Sequence, residues 1–133
     1  MAPRNLVTKN CDSLYRVFRQ YPVIAFAYLF GSQATGDQSA LSDIDVAIYI
    51  DRGAAFTFDD KLHFHGECCR TLKRNDVDVV VLNDTKNLIL LEQIIRHGKL
   101  IYNISQQQLD EFELKILHLA CDFRTQRYRE MGV

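Results

Sequence analysis

Charge of one sign is the first thing this 133-residue chain lacks: 16 Lys and Arg stand against 17 Asp and Glu, a formal net charge of −1. That balance argues against holding nucleic acid through bulk positive charge, and no direct nucleic-acid partner is expected. Cysteines are few. Cys11, Cys68, Cys69 and Cys121 show no C-x-x-C spacing, and the adjacent pair Cys68 and Cys69 makes a poor disulfide on geometric grounds. Reduced thiols in a cytoplasmic setting are expected. Long apolar runs are missing too. The longest nearly uncharged stretch, residues 21–35, contains Pro22, Gly31 and Ser32 and is too short to span a bilayer. No apolar run follows residues 1–5, so no signal peptide is expected. The 2 prolines and 6 glycines form no linker with serine, and no repeat or low-complexity tract occurs. The chain is therefore expected to be one domain over residues 1–133, with an ordinary core and no membrane association.

What is present is an aspartate surplus. Of the 17 acids 12 are Asp, and nine of these lie between positions 37 and 84. Helical surfaces favour Glu, because Asp competes for its own backbone, so the surplus points to turns, caps or a metal site. A cluster of His63, His65, Cys68 and Cys69 permits a zinc reading, but an isolated cluster is a weak signal. The plainer reading is one helix with its histidines in solvent and a cysteine in the core.

Hydrophobic spacing predicts a helix over residues 5–21, with Leu6, Cys11, Leu14, Val17 and Phe18 inward and Pro22 closing it. Residues 23–30 form a continuous apolar run ending at Gly31, the profile of a strand covered on both faces. Residues 44–50 and 77–82 read the same way, the latter after an amphipathic segment over 58–73. A helix over 87–97 turns Leu88, Leu91, Ile94 and Ile95 inward and stops at Gly98. A short strand over 100–102 follows. Residues 106–131 predict a long final helix with Leu109, Phe112, Ile116, Ala120 and Phe123 in one stripe. A second set, Leu114, Leu117, Cys121 and Tyr128, fits either a broad buried face or a partner-facing surface, possible also as an oligomer contact. Arg124, Arg127 and Arg129 complement the helix dipole at its end. The fold expected is α/β (α+β), a small mixed sheet flanked by helices.

The stretch that carries chemistry is Leu29-Phe30-Gly31-Ser32-Gln33-Ala34-Thr35-Gly36, followed by Leu41-Ser42-Asp43-Ile44-Asp45-Val46-Ala47. With 12 Asp in the chain, roughly one Asp-x-Asp arises by chance, so only context gives it meaning. Here Gly31 and Ser32 end an apolar strand, and Asp43 and Asp45 open the next. Residues two apart on a strand share a face, about 7 Å apart. Two carboxylates so held repel unless a cation sits between them, and hard oxygen ligands suit Mg²⁺ bound with substrate phosphates. Gly31 leaves room for a phosphate at the turn, and Ser32 offers donors to it, although the two also fit a plain turn and an N-cap. Asp78 stands inside the apolar Val77-Asp78-Val79 run, where a carboxylate is costly to bury unless paired or liganded. With that strand beside Asp43 and Asp45, it completes a cluster able to support in-line attack on phosphorus. Asp76 reads as a strand-entry or turn residue, Asp51, Asp59 and Asp60 as turn and cap residues, and His97 as a helix-end contact.

Gly31-Ser32-x10-Asp43-x-Asp45 resembles the signature of the DNA polymerase beta-like nucleotidyltransferase superfamily, and the short chain resembles its minimal nucleotidyltransferase (MNT) family in particular. The likeness is strongest over residues 24–51 and looser over 76–102. Thr35 departs from a position that is often basic in the family. The resemblance implies a nucleotidyltransferase fold, with Asp43, Asp45 and Asp78 as metal ligands and catalytic acids. It implies that Gly31 and Ser32 hold the triphosphate of ATP, with Mg²⁺ as cofactor. It further implies transfer of AMP to a hydroxyl, in some members a tyrosine of a HEPN-type toxin for which the protein is the antitoxin. Two other functions stay open: a binding antitoxin that silences its partner by contact alone, and a small-molecule transferase of the antibiotic-modifying kind.

Overall fold

The computed structural model describes residues 6–30 and 44–130, with side chains over 12–30 and 44–122. Helix α1 (Leu6–Arg19) buries Leu14, Val17 and Phe18, spaced for one helical face. The chain turns ahead of Pro22 into strand β1 (Ile24–Phe30), whose residues are buried on both faces up to the half-buried Phe30. Strand β2 (Ile44–Ile50) is covered in the same way except at Asp45 and Tyr49. Helix α2 (Phe58–Leu72) starts in a capping box, the Thr57 side chain accepting from the Asp60 N–H while Asp60 accepts from the Thr57 N–H. Strand β3 (Val77–Val81), a 3₁₀ turn (Leu82–Asp84), helix α3 (Leu88–His97), strand β4 (Lys99–Asn103) and helix α4 (Gln106–Glu130) complete the order.

The four strands lie in the order β3-β2-β1-β4. β1 pairs antiparallel with β2 and β4, and β2 pairs parallel with β3, so the sheet is mixed. Alternation along the strands divides the core. Leu14, Phe18, Ile48 and Phe64 gather on the face covered by α1 and α2. Phe26, Leu91, Ile94, Leu109 and Phe112 gather on the face covered by α3 and α4. Phe26 stacks on Tyr49 at 4.7 Å between ring centres, with Phe112 tilted against both. Among the described residues no helix is long and apolar enough to cross a membrane.

One expectation changes, one open choice is decided and one helix end is refined. The run over 77–82 is not a strand covered on both sides. It forms a sheet edge, leaving Asp78 exposed and Val79 and Val80 half-buried. Leu82 leaves the ladder, and Asn83 replaces it, accepting from the Ile50 N–H at 2.8 Å and donating to the Ile50 carbonyl at 2.9 Å. The second apolar set on α4 is no broad buried face: Leu114 is 58% exposed, Cys121 is exposed and Leu117 half-buried. Leu109, Phe112, Ile116 and Ala120 already fill the sheet contact; Phe123 and Tyr128 lie outside the described side chains. Gly98 does end α3, but with φ −74° and not in a left-handed turn. A Cβ there would stand 2.4 Å from the Ile94 carbonyl oxygen and 3.4 Å from that of Leu29. Close approach of backbone, not positive φ, is what requires glycine at this position.

Candidate active site

Asp45 is the second residue of β2 and Asp78 the second of β3. The parallel register pairs them directly, and the antiparallel register pairs Phe30, the last residue of β1, with Asp45. Paired residues on adjacent strands point to the same face, so Phe30, Asp45 and Asp78 form one rung on the side of α3 and α4. Neighbouring strands are about 4.8 Å apart, which brings two carboxylates together at the end of the sheet. Asp45 is half-buried and Asp78 exposed on the open edge. The cost of burying Asp78 therefore does not apply, and edge placement is what makes the acid reachable. Hydrogen bonding from the Ile44 N–H to the Asp76 carbonyl, 3.0 Å, continues the register to the start of both strands. Asp43, Gly31 and Ser32 lie outside the described residues.

Chemically, two hard oxygen donors side by side suit a divalent cation shared with phosphates. Asp45 and Asp78 thus fit Mg²⁺ by donor type and by adjacency. The first acid of the Asp76-Val77-Asp78 triplet is different. Asp76 is gripped through both carboxylate oxygens by Arg74, the Nε contact at 2.7 Å and the Nη2 contact at 2.5 Å. These bonds hold its carboxyl below the ordinary carboxylate range, in keeping with a turn residue.

The zinc reading fails for the four His and Cys side chains on α2. Cys68 is buried in the core, where burial pushes its thiol up to about 12. His63 is exposed and its Nδ1 lies 3.0 Å from the Asp59 carbonyl. His65 Nε2 instead contacts the Val77 carbonyl at 2.6 Å, with Cys69 Sγ at 3.7 Å. Among the described residues no group of three His, Cys, Asp or Glu is arranged for a metal; spacing on a helix spread the four around it.

One contact near the site escaped sequence reasoning. Tyr28, two residues before Phe30, is buried and its hydroxyl donates to Glu113 of α4. Burial first, then the Glu113 contact, pushes its phenol upward, so it stays protonated as the donor. This pair anchors α4 one rung from Asp45 on the same face. The only sequence signal was a hydroxyl inside an apolar run. A cavity of about 290 Å³ between α4 and the 3₁₀ turn is lined by Tyr49, Asn83, Gln108 and Lys115 among others. It lies toward the other end of β2 and does not include the acid pair.

The family described as Polymerase beta, Nucleotidyltransferase matches residues 12–107. A protein adenylyltransferase MntA of Aphanizomenon flos-aquae is 30% identical over 113 residues, covering 77% of this chain and 72% of that protein. One from Shewanella oneidensis is 29% identical over 120 residues, covering 89% and 82%. Among solved structures, a toxin–antitoxin with AMP-PNP superposes with a TM-score of 0.75 at 24% identity over 92% of this chain and 96% of that one. A tri-AMPylated Shewanella oneidensis HEPN toxin in complex with MNT antitoxin matches with a TM-score of 0.70 at 21% identity, over 96% and 97%. These two likenesses establish the fold. The chain belongs to the polymerase beta nucleotidyltransferase family, within the group of MntA relatives.

Proposed function

We propose that the protein is a Mg²⁺-dependent nucleotidyltransferase that moves AMP from ATP to a hydroxyl, a tyrosine of a partner HEPN toxin, and so acts as its antitoxin. The observation that carries the reading is the direct pairing of Asp45 with Asp78 on parallel strands at the sheet edge. Protein adenylyltransferase is the name of both curated relatives, and the AMPylated toxin in a neighbouring complex supports the same acceptor class. The reading takes residues 1–133 as one domain working in the cytoplasm, where ATP and reduced thiols coexist.

The assigned residues divide the work. Gly31 and Ser32 hold the triphosphate. Asp43, Asp45 and Asp78 would hold Mg²⁺, which when bound supplies neutralising charge beside the phosphates. The acceptor oxygen forms a bond to the α-phosphorus while the bond to the bridging oxygen breaks, and pyrophosphate leaves. Asp78, exposed at the edge, takes the proton of the attacking hydroxyl. The toxin brings the acceptor, and the apolar side of α4 at Leu114 and Leu117 gives it a surface. Incubation with labelled ATP, Mg²⁺ and co-expressed toxin tests this: label on the toxin is expected with the wild type and absent with the double variant Asp43→Asn/Asp45→Asn. A wild type that transfers no label while both proteins silence the toxin would establish neutralisation by contact. Label appearing on an added antibiotic-type small molecule and not on the toxin would establish the antibiotic-modifying reading.

A further inference from the structure

Helix α2 contains a glycine that the chain's own packing does not explain. Gly66 lies in the helix interior, and a Cβ added there would meet nothing within 4 Å. Glycine inside a helix is less stable than alanine, and an open position would accept alanine. Phe58 and Leu62 stand at four-residue spacing ahead of it, 71% and 51% exposed, so the three share one face. Phe64 and Cys68, the buried residues of α2, occupy the opposite side. Gly66 itself is half-buried, and open space lies where its side chain would be.

We propose that this face of α2 is a self-association surface, on which a second copy of the chain lays its own α2 antiparallel, the two backbones crossing at Gly66. The absent side chain lets two helices approach closely, and Phe58 and Leu62 supply the apolar contact on either side of the crossing. Charge selects the second copy as the occupant. The first turn of α2 carries Asp59 and Asp60, while Lys73, its C-cap, is exposed at the far end. Asp59 precedes Gly66 by as many residues as Lys73 follows it. A two-fold pairing centred on Gly66 therefore sets Asp59 of each copy against Lys73 of the other. Leu62 meets the stem of Arg70 by the same count, and the helix dipoles run opposed. The interface is isologous, the same patch serving both copies, and closes as a dimer.

Light scattering after size exclusion of the full chain, across a concentration series, reads the result. A mass approaching twice 15.4 kDa is expected for the wild type. Leu62→Glu and Gly66→Leu should return it to the monomer with unchanged far-UV circular dichroism. Gly66→Ala should raise the Tm of dilute protein while weakening the dimer several-fold, a combination that a merely structural glycine does not give. Asp59→Lys should dissociate the pair and Asp59→Lys/Lys73→Asp restore it. A monomer at every concentration would overturn the proposal, as would a dimer indifferent to Gly66→Leu. Release of a co-expressed HEPN toxin by Leu62→Glu, with no change in the mass of the isolated chain, would assign the face to that partner instead.

Discussion

Replacing Asp78 with Asn separates the two demands made on the acid pair. Asp45 and Asp78 are paired across strands about 4.8 Å apart. Two unit charges about 5 Å apart repel by about 0.8 kcal/mol in water and about 3 kcal/mol at an effective dielectric of about 20. Asp78 is exposed at the sheet edge, which places the pair toward the watery limit, about 1 kcal/mol. Asp78→Asn removes that repulsion with little change of shape. Without Mg²⁺ the variant should therefore be more stable than the wild type, by a Tm increase of about 3–5 °C for a chain of this size. Transfer should fall in the opposite direction. Loss of the proposed metal ligand, worth several kcal/mol of charge stabilisation, corresponds to about 10²–10³-fold in rate. Adding Mg²⁺ and ATP should raise the Tm of the wild type and leave the variant nearly unmoved. Thermal melts with and without Mg²⁺, beside a label-transfer assay, read both effects. A variant that transfers at the normal rate, or one that melts lower in the absence of Mg²⁺, would refute the reasoning.

Two further outcomes follow from the packing. Gly98→Ala forces a methyl to within 2.4 Å of the Ile94 carbonyl oxygen, backbone against backbone, and should cost about 1–3 kcal/mol in urea unfolding; an unchanged midpoint would contradict the close approach. At mildly alkaline pH, alkylation mapped by peptide mass should label exposed Cys121 before half-buried Cys69 and spare Cys68 until the protein unfolds. Because burial raises the Cys68 thiol above its unfolded value, the protonated form is the one the fold favours. Its contribution to stability is thus complete below the unfolded value of about 9 and is lost as pH rises through about 12.

Periodicity located the elements because each is amphipathic or uniformly apolar over a full turn or strand. Leu14, Val17 and Phe18 on α1, and Leu109, Phe112 and Ile116 on α4, needed only spacing. The second strand was legible to its bounds, since apolar residues on both faces leave little choice. The exposed edge at Asp78 was not legible. Val77, Val79 and Val80 look alike whether a strand is central or peripheral, and only strand order distinguishes the two. The same holds for Leu114 and Leu117: an apolar residue on a helix does not declare whether a neighbour covers it.

The opening balance of charge concealed the site, because net charge sums over positions that never meet. By itself, the sequence offered residue types able to do the chemistry: an Asp-x-Asp at 43–45, a Gly-Ser pair at 31–32 and a third acid in an apolar run. Chain chemistry and spacing are local properties, and they are written in order. The tertiary structure alone decided that β3 lies parallel to β2 in the register that sets Asp78 beside Asp45, leaving Asp76 to Arg74. A shift of one residue would have turned Asp78 to the other face of the sheet. Register between distant segments depends on how both faces of the sheet are packed, and no single segment carries that information.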